Sequence, residues 1–321
     1  MMTNKRISLA PMIDYTTMDF RAFARLFNPY IYLYTEMIST SAILKGDAAH
    51  VLRCHGSENP VVLQLGGSNP DEMAKAVAVA EQIGAYDEYN INVGCPSDRV
   101  QHNKIGACLM AEPQTVADMV RAMKDHTDKP VTVKHRIGID HFDSYEFMRD
   151  FVETVAEAGC THFIAHARIA WLQGLSPKQN REIPPLRYED VYRLKQEFPE
   201  LTIEINGGID HLAAIREHLT QVDGVMVGRA FYHNPYLMAE CHHLWGSEPP
   251  SRCQVFENLM AYLKQRADEG ANLATVTRHY LGLFQGLSGA RRWRQDLSGK
   301  SSLTLDEIYQ AGERVLSQND Q

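Results

Sequence analysis

Between Tyr86 and Met110 the chain reads YDEYNINVGCPSDRVQHNKIGACLM, and its chemistry gathers at Cys95. Tyr86 to Val93 has the β-branched and aromatic character of a short strand, and Gly94-Cys95-Pro96-Ser97 breaks it, leaving a thiol in the turn. Asn90 and Asn92 lie two apart and so share one side of that strand. Inward-facing amides need partners, and a bound heterocycle with carbonyl and imino groups is one that fits. A thiol beside such a ring can give a proton; as a thiolate it can attack carbon. The second use needs a neighbouring base or cation, for which His102 is close in sequence, although no triad spacing is visible. The plainer alternative is that Cys95 is a small buried apolar group and the asparagines cap turns.

What must position this turn is an alternation of strands and helices. Strand-like runs fall at Ile7–Asp14, Tyr30–Glu36, Pro60–Leu65, Tyr86–Val93, Val131–Arg136, His162–Ala167, Leu201–Asn206 and Gly224–Val227. Amphipathic helices lie between them. One spans about Asp71–Ile83, opened by Asn69-Pro70 and stopped by Gly84, and another spans about Ser144–Ala158, closed by Gly159. Eight such units within residues 1–240 match the length of a (β/α)8 TIM barrel. A doubly wound open sheet would carry a Gly-rich turn after its first strand, where this chain has Ala10-Pro11-Met12. From 241 to 321 the pattern becomes helical, with Val255–Glu269, Leu273–Leu287 and Leu305–Val315 as three expected helices forming a small C-terminal domain.

Composition narrows the class. The 321 residues are 44% hydrophobic and 22% charged, ordinary for a soluble enzyme with a large core. No apolar run is long enough to span a bilayer and no signal-peptide core follows Met1, which points to the cytoplasm and away from a membrane. Six scattered cysteines without a CxxC pair indicate neither a disulfide framework nor a metal site. The net charge of −8 argues against indiscriminate nucleic-acid binding. The basic residues are nevertheless clustered, at Lys134-His135-Arg136, at Arg168, Lys178 and Arg181, and at Arg291-Arg292-Trp293-Arg294.

In a barrel of this kind the reactive groups sit at the C-terminal ends of the strands. That rule selects Pro11, Met12, Gln64, Asn90, Asn92, Cys95, Lys134, His166, Arg168, Asn206, Gly207, Gly208, Gly228 and Arg229. The glycine turns at 206–209 and 228–229 occupy the last two βα loops, where barrels hold a phosphate, and Arg229 adds charge. Lys134 could balance negative charge on the pyrimidine side of a reduced flavin, with Gln64 offering a donor and an acceptor to its edge. Lys134 could equally pair with Glu36 or Asp14, and His166 could be a satisfied core histidine instead of a phosphate or ribityl contact. A flavin beside the Cys95 thiol would make a reducing site for an activated double bond, hydride coming from flavin N5 and a proton from Cys95. The Arg291–Arg294 run could grip an RNA backbone and stack Trp293 on a base, or be a solvated helix face over a buried indole.

The segments APMIDYTTMDFR, NVGCPSDRVQHNKIGACLM, VTVKHRIGID, HARIAWLQGLSPKQNREIPPL, INGGI, GVMVGRAFYHNP and GARRWRQDLSG together resemble the tRNA-dihydrouridine synthase family, the long 166–186 stretch being similar to its A subfamily. The resemblance implies an FMN-dependent, NADPH-consuming reduction of the C5–C6 bond of tRNA D-loop uridines at positions 20 and 20a. It implies Cys95 as proton donor and Pro11, Met12, Ile13, Gln64, Lys134, His166, Asn206, Gly207, Gly208, Gly228 and Arg229 as FMN contacts. Asn92, Lys178, Arg181, Arg291 and Arg294 would touch tRNA, and a monomer would suffice. His135 and Ile169 depart from the family pattern. The rival enzymatic reading is an FMN barrel reducing a free dihydropyrimidine or enone. An RNA-binding barrel without catalysis is the rival of another class.

Overall fold

The computed structural model describes residues 6–84, 86–97 and 104–319. Its strands are β1 (Arg6–Leu9), β2 (Tyr32–Tyr34), β3 (Ile38–Ser39), β4 (Val61–Gly66), β5 (Glu88–Val93), β6 (Val131–Arg136), β7 (His162–His166), β8 (Thr202–Asn206) and β9 (Gly224–Val227). All pairings are parallel, and the β1–β9 and β2–β4 ladders close eight of the strands into a TIM barrel. The two-residue β3 lies against the end of β4.

Five strands are shorter than expected, three of them by one or two residues and the first two by about half, for local reasons. β1 stops at Leu9 because Pro11 has no N–H to continue the ladder and Met12 starts a turn, its carbonyl accepting Thr16 N–H at 2.9 Å. The expected second strand, Tyr30–Glu36, survives as Tyr32–Tyr34; beyond it the Thr35 hydroxyl takes the Gln64 N–H at 3.0 Å and the chain re-pairs only at β3. The helices Pro70–Ile83 and Tyr145–Glu157 form as the periodicity predicts, capped by Asn69 and Ser144. Their apolar stripes, Met73, Val77 and Ala80 on the first and Met148, Phe151 and Val155 on the second, are buried.

Strand alternation divides the barrel interior into levels. At the floor, Arg6 donates to both oxygens of Glu88 (2.6 and 2.8 Å) and its Nε lies 2.7 Å from Glu204 Oε1. Glu204 also accepts from Ser8 and lies 2.8 Å from His162 Nε2. Burial would raise the Glu204 pKa; Arg6, His162 and Ser8 outweigh it, so the carboxyl is held below its usual range. Gly224 makes this crossing possible, since a Cβ there would stand 2.6 Å from Glu204 Cγ and 2.9 Å from the Arg6 carbonyl oxygen. Above the ions lies an apolar level of Ala10, Tyr34, Val62, Ile164 and Met226. The next level is the mouth.

After the barrel come helices Arg252–Asp268, Leu273–Thr277, Ala290–Leu297 and Leu305–Leu316. The expected helix Leu273–Leu287 ends at Thr277. From Arg278 the chain turns tightly against the barrel, Gly282 lying where a Cβ would meet the His233 carbonyl oxygen at 2.7 Å. The run at 290–297 is a helix whose Ala290, Trp293 and Leu297 face inward, a 3.6-residue stripe. Trp293 is fully buried against Phe256 and Phe284 and donates from Nε1 to the Tyr280 carbonyl (3.1 Å), so its indole is part of the core and does not stack on a base. These helices share one apolar cluster with the barrel, and Asp19 accepts from Tyr262 (2.6 Å) and Arg266 (2.8 Å) across the joint. Among the described residues no helix is long and apolar enough to cross a membrane.

Glu204→Gln removes the carboxylate that Arg6, Ser8 and His162 share and leaves Arg6 with Glu88 alone. It should lower unfolding stability by about 3 kcal/mol in urea melts, with the denaturant slope unchanged.

Candidate active site

The mouth is built on side chains two residues apart on neighbouring strands. Asn92 on β5 donates to Gln64 Oε1 on β4, Gln64 donates to Asn90 Oδ1, and Asn90 donates to Thr132 Oγ1 on β6, each at 2.8 Å. The strand asparagines therefore find their main side-chain partners in Gln64 and Thr132. Asn92 Oδ1 accepts the backbone N–H groups of Gly94 (3.1 Å) and Cys95 (3.0 Å), which bends the chain into the turn that carries the thiol. The Cys95 carbonyl accepts from Ala107 N (2.9 Å) in the short 3-10 helix Gly106–Ala111, holding the turn from its far side. His102, the neighbouring base considered above, lies outside the described residues.

Around this turn the structure gathers positive charge. Lys134 Nζ donates to Asn206 Oδ1 (3.1 Å), so its partner is an amide oxygen and not the carboxylate of Glu36 or Asp14. Burial, with help from Arg136, lowers its pKa to about 7. Arg136 points the same way and is lowered to about 10 by burial. Its guanidinium donates to the carbonyls of Gly94 (3.1 Å) and Asn180 (3.0 Å), bracing the Cys95 turn against the loop after β7. That loop winds around Asn180, which is fully buried and exchanges hydrogen bonds with both backbone groups of Trp171 (2.8 Å each). His166 is pushed well below its ordinary pKa by burial and then by Arg136, Lys134, Arg168 and Arg181, and so is neutral. His135, between Lys134 and Arg136, points outward and packs on Phe151 and Phe163.

The glycine turn after β8 is needed sterically. Gly207 and Gly208 have φ of +119° and +72°, and a Cβ on Gly207 would approach His166 Cδ2 to 2.7 Å. A Cβ on Gly228 would stand 3.4 Å from Ala10 Cβ and 3.5 Å from Met12 Sδ, so the ends of the first and last strands lie side by side there. Arg229 pairs with Glu182 at 2.8 Å with both side chains largely exposed, and Lys178 and Arg181 stand on the same loop as Glu182. Ile13 is 54% exposed at the rim. The structure thus brings together Met12, Gln64, Asn92, Cys95, Lys134, His166, Arg181, Asn206, Gly207, Gly208, Gly228 and Arg229. Arg291 and Arg294 lie apart, on the C-terminal helix, Arg294 donating to Gln285 at 3.1 Å. Arg136 and Asn180 were not singled out as site residues; the inward alternation of Lys134 and Arg136 on one strand was the signal available for Arg136.

Burial raises the Cys95 pKa, against the Ser97 backbone N–H and the cations Arg136, Arg181 and Lys134, so the thiol stays protonated at neutral pH. A protonated thiol in a cation-rich mouth suits proton donation next to an anion-bearing ligand. The residues fit a flavin: Lys134 is a desolvated cation whose hydrogen-bond partner among the described residues is an amide oxygen, suited to the polar edge of the ring, and the positive-φ turn at Gly207-Gly208 beside Arg229 suits its phosphate. Among the described residues no group of three or more His, Cys, Asp or Glu side chains could hold a metal ion.

A lysine held near pKa 7 destabilises the flavin-free fold wherever it is protonated in both states. That cost is full below about pH 7 and fades as pH rises toward the ordinary lysine value of 10.5. Lys134→Met should therefore raise the unfolding free energy of the flavin-free protein by a few kcal/mol at pH 6 and by clearly less at pH 9; equal gains at both would show that Lys134 is not desolvated.

The family model for dihydrouridine synthase matches residues 8–314. A protein of Pseudomonas aeruginosa named tRNA-dihydrouridine(20/20a) synthase is 55% identical over 298 residues, 92% of this chain and 90% of its own. Proteins of the same name from Vibrio cholerae (52% over 313 residues, 95% of each chain) and a Synechocystis species (53% over 301 residues, 92% and 90%) are similarly close. A solved 2-naphthoyl-CoA reductase bound to 2-naphthoyl-CoA shares the fold at 10% identity, with a TM-score of 0.58 over 74% of this chain and 50% of that one. The chain belongs to the dihydrouridine synthase family, flavin-dependent oxidoreductases that reduce uridine in tRNA.

Proposed function

We propose that this protein is a tRNA-dihydrouridine synthase that reduces the C5–C6 bond of D-loop uridines at positions 20 and 20a, with FMN as its flavin and NADPH as reductant. The observation that carries this reading is the Cys95 turn, its backbone pinned by Asn92 beside a mouth that gathers Lys134, Arg136 and Arg181. The relatives named for positions 20 and 20a support the choice of substrate.

In this reading the chemistry a bound flavin would supply is hydride for uridine C6. Cys95 delivers the proton to C5, and the Asn92 carboxamide fixes the turn so that the thiol faces the base. Lys134 and Gln64 bind the polar edge of the flavin ring, Asn206 orienting the ammonium group. Pro11, Met12 and Ile13 would help to hold the flavin. His166, Gly207, Gly208, Gly228 and Arg229 hold its ribityl chain and phosphate, Arg229 exchanging Glu182 for phosphate. Lys178, Arg181 and the remaining N–H of Asn92 meet the RNA at the mouth. Residues 241–321 form the tRNA-binding part, with Arg291 and Arg294 as solvent-facing phosphate contacts, and residues 1–240 the catalytic barrel. The protein works as a cytoplasmic monomer.

The test is dihydrouridine formed in unmodified tRNA by the flavin-loaded protein with NADPH. Cys95→Ala should form product at least about 100-fold more slowly. It should also keep its yellow flavin and its tRNA-free NADPH oxidation by oxygen. An unaffected mutant would move the proton to another donor. Absence of product with the wild type, while NADPH is consumed, would point to a free small-molecule acceptor.

A further inference from the structure

Beside the mouth lies a cleft of about 690 Å³ whose lining, Ile13 apart, the flavin and Cys95 assignments leave unused. Ser97, two residues past Cys95, lines one end. Thr17 and Asp19 line the other, and both are tied to the C-terminal helices, Thr17 to His279 (3.1 Å) and Asp19 to Tyr262 and Arg266. The cleft therefore runs from the joint with those helices to the catalytic turn. Ile13, Met37 and Ile38 supply apolar surface along it, and the exposed Arg53 stands at its edge with no carboxylate in ion-pair range among the described residues. Glu36, whose carboxylate accepts the Asp14 N–H at 2.6 Å, provides an acceptor.

From this geometry we infer that the cleft is a second nucleotide subsite, holding the RNA nucleotide that flanks the reacting uridine. The inference rests on the proposed tRNA reading. A strand held by the C-terminal helices and delivering one base to the mouth crosses this space, and a base swung out of folded RNA draws its neighbour with it. The volume falls in the range of small-ligand pockets, roughly 300–1,000 Å³. The neighbouring base lies on Met37 and Ile38, its N–H groups face Glu36, and its phosphate meets Arg53.

Two variants test this without touching the catalytic groups. Arg53→Ala removes the cation. Ala42→Glu puts a negative charge on the cleft wall at the third position of a helix capped by Ser39, where glutamate completes a capping box and so preserves the fold. Each should raise KM for unmodified tRNA about 5- to 20-fold, and Arg53→Ala should reduce the salt dependence of tRNA binding by about one counterion. NADPH oxidation by oxygen without tRNA should keep its KM and kcat. An unchanged KM for tRNA in both variants overturns the inference, and a raised KM for NADPH overturns it in favour of a reductant site. Binding of a uridine-containing single-stranded RNA, measured by fluorescence anisotropy, reads the cleft independently of turnover. Should the wild type form no dihydrouridine, weaker RNA binding by both variants still supports the subsite, and unchanged binding still rejects it.

Discussion

Arg6 is the tie on which the barrel depends. One guanidinium reaches Glu88 on β5 and Glu204 on β8 from β1, so three strands that are distant in the ring are held across its floor. The contact needs Gly224 between them, because any side chain there would occupy the space of Glu204 Cγ. An isolated ion in this position would cost several kcal/mol in desolvation, so the arrangement holds only as a set. Its members fix the strand register, and the register decides which side chains reach the opposite end.

The two ends of the barrel treat charge differently. At the floor the buried carboxylate meets an arginine and a histidine. At the mouth Lys134 meets only an amide oxygen, and Arg136 spends its donors on backbone carbonyls. The floor pairs its arginine with carboxylates, whereas at the mouth Lys134 and Arg136 have no carboxylate partner among the described residues, the condition for taking up a phosphate or an electron-rich ring. A chain with net charge −8 can thus present a positive site, because tertiary folding brings Lys134, Arg136, Arg168 and Arg181 around His166.

The C-terminal helices join the barrel through a shared core and through Asp19, so the angle between the two parts is set by packing. Burial of Trp293 contributes to that. Its indole holds the helix Ala290–Leu297 against Phe256 and Phe284, leaving Arg291 and Arg292 on the solvent side. The arginines of this run face water because the tryptophan does not.

The eightfold alternation, the cap at Asn69, and the place of Cys95, Lys134 and the Asn206–Gly208 turn at strand ends were all legible in the chain, because each depends on periodicity or turn chemistry within a few residues. The 290, 293, 297 stripe was equally local and marked Trp293 as core, although the flanking arginines drew the reading toward RNA. Partners are another matter. Lys134 meets Asn206 across 72 residues, Asn92 meets Gln64 across 28, and Arg136 meets Asn180 across 44. No local pattern states which polar group another will face, since that is decided by barrel closure and register. The sequence by itself determined which side chains turn inward at the strand ends; only the tertiary structure decided that the floor would set its arginine against carboxylates while the mouth gathers cations, because charge balance is a property of neighbours in space.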